Sequence, residues 1–447
     1  MASNFIAAIH MGTSRIIGLL GHNDAGTLTV IAYEAENSTG CIRRGCVYNV
    51  KETAAKVKRI IQKMESRIPG NRIGKVYVSA GGQSVRSMEH TVSRSMDTES
   101  MFTDEMAKGL LREAQDFRPE GLDVLSILPS AYYLDGHPES DPVGVSCSSV
   151  EARYQLIVAR PLVRKRIVEC ITELVKIDIA EVIVYPVALA EAVLNESERK
   201  RGCALVDFGG SVTSVTVYKN GYLAGLCVIP LGGNLITKDL ADYLGVNPAE
   251  AEDLKRRYGN ALSDEGDEST FQVDIENSER LTVKLSVFNS VVEARMQEIL
   301  ENVYDRLEAT GLKELHAGVI ITGNASLLEN LAAPIYERLK TDVRYAAVRK
   351  DITIKTDLDI PEGDGACIAG LLLRGGGVSC LVNTVTRPVA APERETVAKP
   401  KPSPDPAPEA DKDETTTSGA GHRGRKPALE KIKKASARWT GRLFDDV

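Results

Sequence analysis

The sequence predicts an α/β protein of two similar lobes, followed by a solvated linker and a short amphipathic helix. Three observations carry this. A strand, glycine turn and second strand near the N-terminus return almost 200 residues later. Arg387 to Gly421 holds seven prolines among acidic and hydroxyl residues. Residues 422–447 carry eight Lys/Arg against three acids, a balance of +5 in a chain of net −7, which leaves −12 for residues 1–421.

Phe5 to Ile9 reads as a buried strand, His10 to Ser14 as a turn and Arg15 to Leu20 as the returning strand. The second copy runs Cys203 to Val206, Asp207 to Ser211 and Val212 to Tyr218. Such a repeat implies two related domains facing each other. In each turn, hydroxyls and unpaired backbone N–H groups suit a phosphate, and glycine lets the backbone approach without a Cβ clash. Gly12, Thr13 and Ser14 from one half, with Asp207, Gly209, Gly210 and Ser211 from the other, would clamp a polyphosphate.

A third segment fits that scheme. Gly318 to Thr322 is a strand entering Gly323-Asn324-Ala325-Ser326, and a helical pattern from Leu327 would aim a helix N-terminus at the ligand. Before it lies the segment Ile229 to Leu240, which contains Gly232-Gly233-Asn234. Asn247 is a good N-cap with Pro248 in first position, so Ala249 to Tyr258 is a helix ending at Gly259. Glu252 and Lys255 share one of its faces, as a solvated surface pair would.

Setting aside the linker and tail leaves about 385 residues, enough for two to four domains with cores of their own. No run of 18 apolar residues exists; Cys367 to Leu373 stops at Arg374. Met1 to Leu20 lacks a basic n-region and a small-residue cleavage site, so no signal peptide is expected. The eight cysteines have no C-x-x-C spacing and are expected to be reduced cytosolic thiols.

Wound as a helix, Ala428 to Leu443 places Leu429, Ile432, Ala435, Trp439 and Leu443 on one face, with Lys431, Lys434, Arg438 and Arg442 on the other. That pattern suits a helix lying in a membrane interface, where the indole of Trp439 sits at the headgroup boundary. A partner-protein helix or a nucleic-acid tail shares the pattern. The Pro-rich linker, spanning on the order of 35 Å as a coil, argues against a helix simply docked on the body. One copy would bind lipid weakly, so firm attachment would come from several copies together.

These segments resemble FtsA, a bacterial division family of the actin superfamily. Gly232-Gly233-Asn234, Thr237, Asp239, Glu252, Lys255 and Tyr258-Gly259 are similar to the family's GGnxiTxDia…AExxKxxyG. Gly12-Thr13 resembles its first phosphate motif, Asp207 to Thr213 its second and Val319 to Leu328 its adenosine motif. Asp135 and Asp141-Pro142-Val143-Gly144 resemble its subdomain 1C. The terminal amphipathic helix after a variable linker matches as well.

The resemblance implies an actin-like two-lobed fold of duplicated ribonuclease H-like domains. Subdomain 1A would take residues 1–83 and 163–200, the inserted subdomain 1C 84–162, and subdomain 2A 201–234. Subdomain 2B would take 235–310, with 311–386 returning through 2A to 1A. A disordered linker would cover 387–424 and the membrane-targeting helix 425–447. ATP with Mg²⁺ is implied in the cleft, on Gly12, Thr13, Ser14, Asp207, Gly209, Gly210, Ser211, Gly232, Gly233, Glu252, Lys255, Gly323 and Asn324, with Asp207 holding the metal through water.

The resemblance further implies a protein that polymerises, tethers the tubulin-like FtsZ to the cytoplasmic membrane at the division septum, and recruits other divisome proteins. The FtsZ C-terminal peptide would dock on subdomain 2B, where Glu293, Arg295 and Glu298 match an E-x-R-x-x-E pattern. Leu429, Ile432, Lys434, Arg438, Trp439, Arg442 and Leu443 would meet anionic lipid, and nucleic acid is not an expected partner. Two departures matter. His10 stands where the family usually has Asp, and Asn324 where it prefers a second glycine. Both are compatible with ATP binding and imply weak hydrolysis at most. A sugar kinase or phosphatase of the same superfamily, or an actin-like adaptor of pilus or secretion machinery, are the competing functions.

Overall fold

The structure, a computed structural model, describes residues 4–275, 279–310 and 315–383. The expected linker 387–424 and amphipathic helix 425–447, including Leu429 to Leu443, lie outside the described residues.

The chain opens with β1 (Ile6–Met11), β2 (Arg15–Asp24), β3 (Thr27–Asn37), the short β4 (Ile42–Arg43) and β5 (Cys46–Val47), α1 (Val50–Glu65), β6 (Asn71–Ile73) and β7 (Lys75–Ala80). An insertion follows: β8 (Arg86–Met101), α2 (Asp104–Asp116), β9 (Asp123–Leu134), β10 (His137–Glu139) and β11 (Ser146–Ala159). The first lobe resumes with α3 (Pro161–Val168), which continues as a π-helix over Glu169–Val175, then β12 (Asp178–Val184), α4 (Tyr185–Val193) and α5 (Glu196–Arg201).

The second lobe contains β13 (Cys203–Phe208), β14 (Thr213–Lys219), β15 (Tyr222–Ile229), α6 (Gly233–Leu244), α7 (Pro248–Tyr258), β16 (Thr270–Ile275), β17 (Glu279–Lys284) and α8 (Leu285–Ala309). It continues with β18 (Val319–Thr322), α9 (Ala332–Leu339) and β19 (Val343–Tyr345). The chain returns to the first lobe with β20 (Thr353–Lys355), α10 (Gly365–Arg374) and β21 (Leu381–Asn383).

Two sheets organise these elements. The first has the order β12-β7-β1-β2-β3-β20, the second β10-β9-β11-β8-β15-β14-β13-β18-β19. In each lobe a central strand pairs antiparallel with its successor and parallel with a later strand: β1 with β2 and β7, β13 with β14 and β18. Both central strands, Ile6-Ala7-Ala8-Ile9 and Cys203-Ala204-Leu205-Val206, are buried on both faces, which explains their unbroken apolar runs. One core fills the first lobe and reaches Cys203, Leu205, Tyr218 and Ile320 of the second, another fills the rest of the second lobe, and a third lies in the insertion around Phe102, Tyr154 and Leu156.

The insertion also touches the second lobe. Cys227 of β15 pairs with Arg86 of β8, Leu226 N–H donates to Ser87 Oγ at 2.8 Å, and Ser130 Oγ donates to the Leu223 carbonyl at 3.4 Å. The lobes meet again where the Arg344 guanidinium grips Glu198 at 2.8 Å and the Val193 carbonyl at 3.0 Å. Among the described residues no helix is long and apolar enough to cross a membrane, and all eight cysteines are free thiols.

Candidate functional site

Gly12-Thr13-Ser14 closes the β1–β2 hairpin, where His10 pairs with Ile17 and Met11 with Ile16. Its backbone is pinned from the side: Ser38 Oγ donates to the Gly12 carbonyl at 2.7 Å, and Gly45 N–H donates to Thr13 Oγ1 at 3.2 Å. The matching turn between β13 and β14 is closed by Gly209 N–H on the Val212 carbonyl at 3.0 Å. The two turns abut. A Cβ built on Gly210 would lie 2.6 Å from Ser14 Oγ, so any side chain there would require the Ser14 hydroxyl to shift.

The third turn follows β18, which lies parallel to β13 with Thr322 opposite Asp207. Gly323 has φ +88°, and any side chain there would overlap the Asp207 carboxylate. The helix expected from Leu327 is not there. A 3-10 turn covers Asn324–Leu327 and α9 starts only at Ala332, because Asn330 takes a left-handed φ of 58° and Glu329 N–H bonds the Gly259 carbonyl. No α-helix therefore begins at this turn to aim its N–H groups at a ligand.

Between the lobes these turns line a cleft of about 150 Å³ that opens to solvent. Gly12, Thr13, Ser14, Asp207, Gly209, Gly210, Gly323 and Asn324 all line it. Gly232 and Gly233 stand behind the second turn instead: Gly233 N–H bonds the Gly209 carbonyl at 3.0 Å and Asn234 N–H the Gly210 carbonyl at 2.7 Å. Asn234 Nδ2 also donates to Ser211 Oγ at 3.1 Å.

Glu252 and Lys255 are not a solvated pair. Lys255 is 7% exposed, its Nζ donating to Glu252 at 2.6 Å, Thr237 Oγ1 at 2.8 Å and the Gly233 carbonyl at 3.2 Å. Burial pushes the ammonium pKa down while Glu252 pulls it up. The pair locks α7 to the start of α6 and so braces the second turn. The helix that carries it runs from Pro248 to Tyr258, capped by Asn247 and ended at Gly259, as its sequence specifies.

Arg15, Ser79, Tyr185 and Asp364 also line the cleft, and the sequence reading gave them no site role. His10 Nδ1 lies 2.8 Å from Ser79 Oγ, which also accepts Met11 N–H at 3.3 Å, and the imidazole packs on the Tyr185 ring at 4.3 Å. Ser79 Oγ accepts Met11 N–H, and where it gives its own proton to Nδ1 the ring proton sits on Nε2, beside Gly12. Burial, helped by Arg15, lowers the His10 pKa to about 4, so the ring is neutral at physiological pH. Arg15 reaches Asp364 at 2.7 Å, and Tyr33 donates to the other carboxylate oxygen of Asp364. Nothing in the local sequence marks Ser79, Tyr185 or Asp364, which chain reversal brings in from far away.

Asp207 is the opposite case, foreseen and unpartnered. Its carboxylate has no ion pair or hydrogen bond among the described residues, and burial raises its pKa to about 6. Glycine turns and hydroxyls fit phosphate. A divalent cation is served less well, since Asp207 alone offers a free carboxylate and no cluster of three or more metal-binding side chains occurs among the described residues.

On α8, Arg295 is bidentate to Asp239 at 2.6 and 3.2 Å and also contacts Glu298, while Ser263 Oγ and N–H donate to Glu293. This trio is tied into its own lobe and is part-buried.

Residues 204–362 match the family "Cell division protein FtsA", and residues 82–158 match "SHS2 domain inserted in FTSA". The cell division protein FtsA of Porphyromonas gingivalis is 33% identical over 357 residues, covering 78% of this chain and 74% of that one. That of Bacillus subtilis is 26% identical over 345 residues, covering 76% and 78%. A chain of the PilM-PilN type IV pilus biogenesis complex superposes with a TM-score of 0.59 at 15% identity, over 83% of this chain and 98% of that one. At that identity the likeness shows the fold alone, which is actin-like. Paired turns across an interlobe cleft, an insertion of the matching kind and this level of identity together place the chain in the FtsA family of actin-like cell division proteins.

Proposed function

We propose that this protein binds ATP in the interlobe cleft, polymerises, tethers FtsZ filaments to the cytoplasmic face of the cell membrane at the septum, and helps recruit other divisome proteins. The observation that supports it most is the approach of Gly210 to Ser14, which sets two phosphate-suited turns from opposite lobes face to face. ATP would lie across Gly12 to Ser14 and Asp207 to Ser211, with its base toward Gly323 and Asn324. Asp207 is the residue that would hold a hydrated Mg²⁺. A neutral His10 beside the first turn favours retaining ATP over cleaving it.

Attachment would run through the terminal helix, with Leu429, Ile432, Trp439 and Leu443 in the interface and Lys434, Arg438 and Arg442 over anionic headgroups. The FtsZ C-terminal peptide would dock near Glu293, Arg295 and Glu298. The deciding experiment is co-sedimentation of the full chain with anionic vesicles and FtsZ, with and without ATP. FtsZ should pellet only when this protein is present, and Trp439→Asp should leave both in the supernatant. Pelleting of FtsZ by the Trp439→Asp variant equal to that by the native chain defeats the tether.

A further inference from the structure

The charges around the cleft do not match a site organised about a divalent cation. Of the three acidic or imidazole side chains that line it, Asp364 is committed to Arg15 and Tyr33, and His10 gives its Nδ1 to Ser79. Asp207 alone has a free carboxylate. The cleft is also lined by the Nε2 edge of His10, next to Gly12, and by the Arg15 guanidinium. Arg15 uses one nitrogen on Asp364, and its side chain is 33% exposed into the cleft. A guanidinium has five N–H donors and matches phosphate bidentately.

We propose that this cleft holds a nucleoside triphosphate without requiring a divalent cation, Arg15 turning from Asp364 to the polyphosphate and supplying the positive charge that a metal would otherwise bring. The proposal rests on the reading of the cleft as a nucleotide site. Its geometry is local. Arg15 is the first residue of β2, directly after Ser14, so its guanidinium and the phosphate turn share one hairpin end. Asp364 is not stranded when Arg15 leaves, because Tyr33 still donates to it and it stands at the N-terminus of α10, whose dipole favours an anion. Asp364 thus parks the arginine in the empty cleft and competes with the phosphate for it.

The test is ATP affinity of the full chain by calorimetry, in excess EDTA and in excess MgCl₂. The native protein should bind ATP in the two media within about threefold. Arg15→Gln should weaken binding in EDTA by about tenfold or more and far less in MgCl₂. Arg15→Lys should restore part of the loss, and Asp364→Asn, which frees Arg15, should tighten binding in EDTA. Loss of native binding in EDTA alone overturns the proposal and leaves the nucleotide site standing. Equal losses for Arg15→Gln in both media assign Arg15 a structural role and overturn it too. No ATP binding in either medium overturns the nucleotide reading and this inference together. Should Arg15→Gln not fold, as thermal melting would reveal, the native comparison and Asp364→Asn still decide.

Discussion

Ser79 Oγ sits 2.8 Å from His10 Nδ1, from a residue 69 positions away in the chain, and thereby fixes which nitrogen of His10 faces the first phosphate turn. The ring is neutral and, with Ser79 donating to Nδ1, presents an N–H where a carboxylate would present a lone pair. Replacing His10 by Asp should therefore set a second acid across the cleft from Asp207, make nucleotide binding more dependent on Mg²⁺, and raise phosphate release several-fold. Phosphate-release assays on the native and His10→Asp proteins check it. Fast native turnover, or no gain from Asp, would show that this position does not restrain hydrolysis.

Asp207 predicts a pH effect of definite sign. Its folded pKa of about 6 lies above the usual value of 3.8, so the folded chain holds its proton longer than the unfolded one. The stability this gives is complete below about pH 4 and lost as pH rises to about 6. Asp207→Asn should consequently melt a few degrees above the native empty protein at pH 7.5, the gap narrowing toward pH 5. His10 works in the other direction, since its lowered pKa costs stability as pH falls from 6.5 toward 4. Melting curves of native and Asp207→Asn proteins across this range separate the two, and a gap independent of pH would refute the assignment.

Gly210→Asp should abolish ATP binding. A Cβ there meets Ser14 Oγ at 2.6 Å and Asn234 Oδ1 at 3.2 Å, and its carboxylate would stand where phosphate is to lie. Calorimetry showing ATP affinity within about threefold of native would move the phosphate site elsewhere.

Arg295→Glu should do two things at once. It should weaken binding of the FtsZ C-terminal peptide, and it should destabilise lobe two by about 3 kcal/mol, because a third carboxylate is pressed against Asp239 and Glu298. Asp239→Asn loosens Arg295 while leaving its charge in place, and serves as the control. If anisotropy shows the peptide binding equally well to Arg295→Glu, the E-x-R-x-x-E face plays no part in docking. If Asp239→Asn loses as much affinity, Arg295 acts by positioning the helix.

The features legible in the sequence were those written in a few adjacent residues. The hairpin turns at Gly12 and Gly209 and the Asn247-Pro248 start of α7 need only local conformational preferences, and they stand where those preferences put them. The features that were not legible depend on chain return. Arg15 and Asp364 are 349 residues apart, and no spacing rule links them. The burial of Lys255 was missed because an amphipathic pattern marks a polar face without saying whether that face meets water or another helix. The helix expected from Leu327 failed for a tertiary reason as well: the hydrogen bond from Glu329 to Gly259 pulls the segment out of helical geometry before Ala332.

The strand join between the insertion and the second lobe also has a consequence for synthesis. Leu226 and Ser87, which help make that join, are separated by 139 residues. At ordinary elongation speeds the ribosome needs roughly ten seconds or more to emit that length. Throughout that interval the Arg86 end of β8, where Cys227 will pair, stands without its eventual neighbour, although the strand's other edge can already pair with β11. An unpaired strand edge is a template for wrong partners, and a contact of such sequence separation forms late because chain closure must come first. The nascent protein therefore passes through a stage in which this margin is open to misassembly with other chains. Chaperones that shield strand edges should raise the yield of folded protein more for this chain than for one whose sheets close between neighbours in sequence.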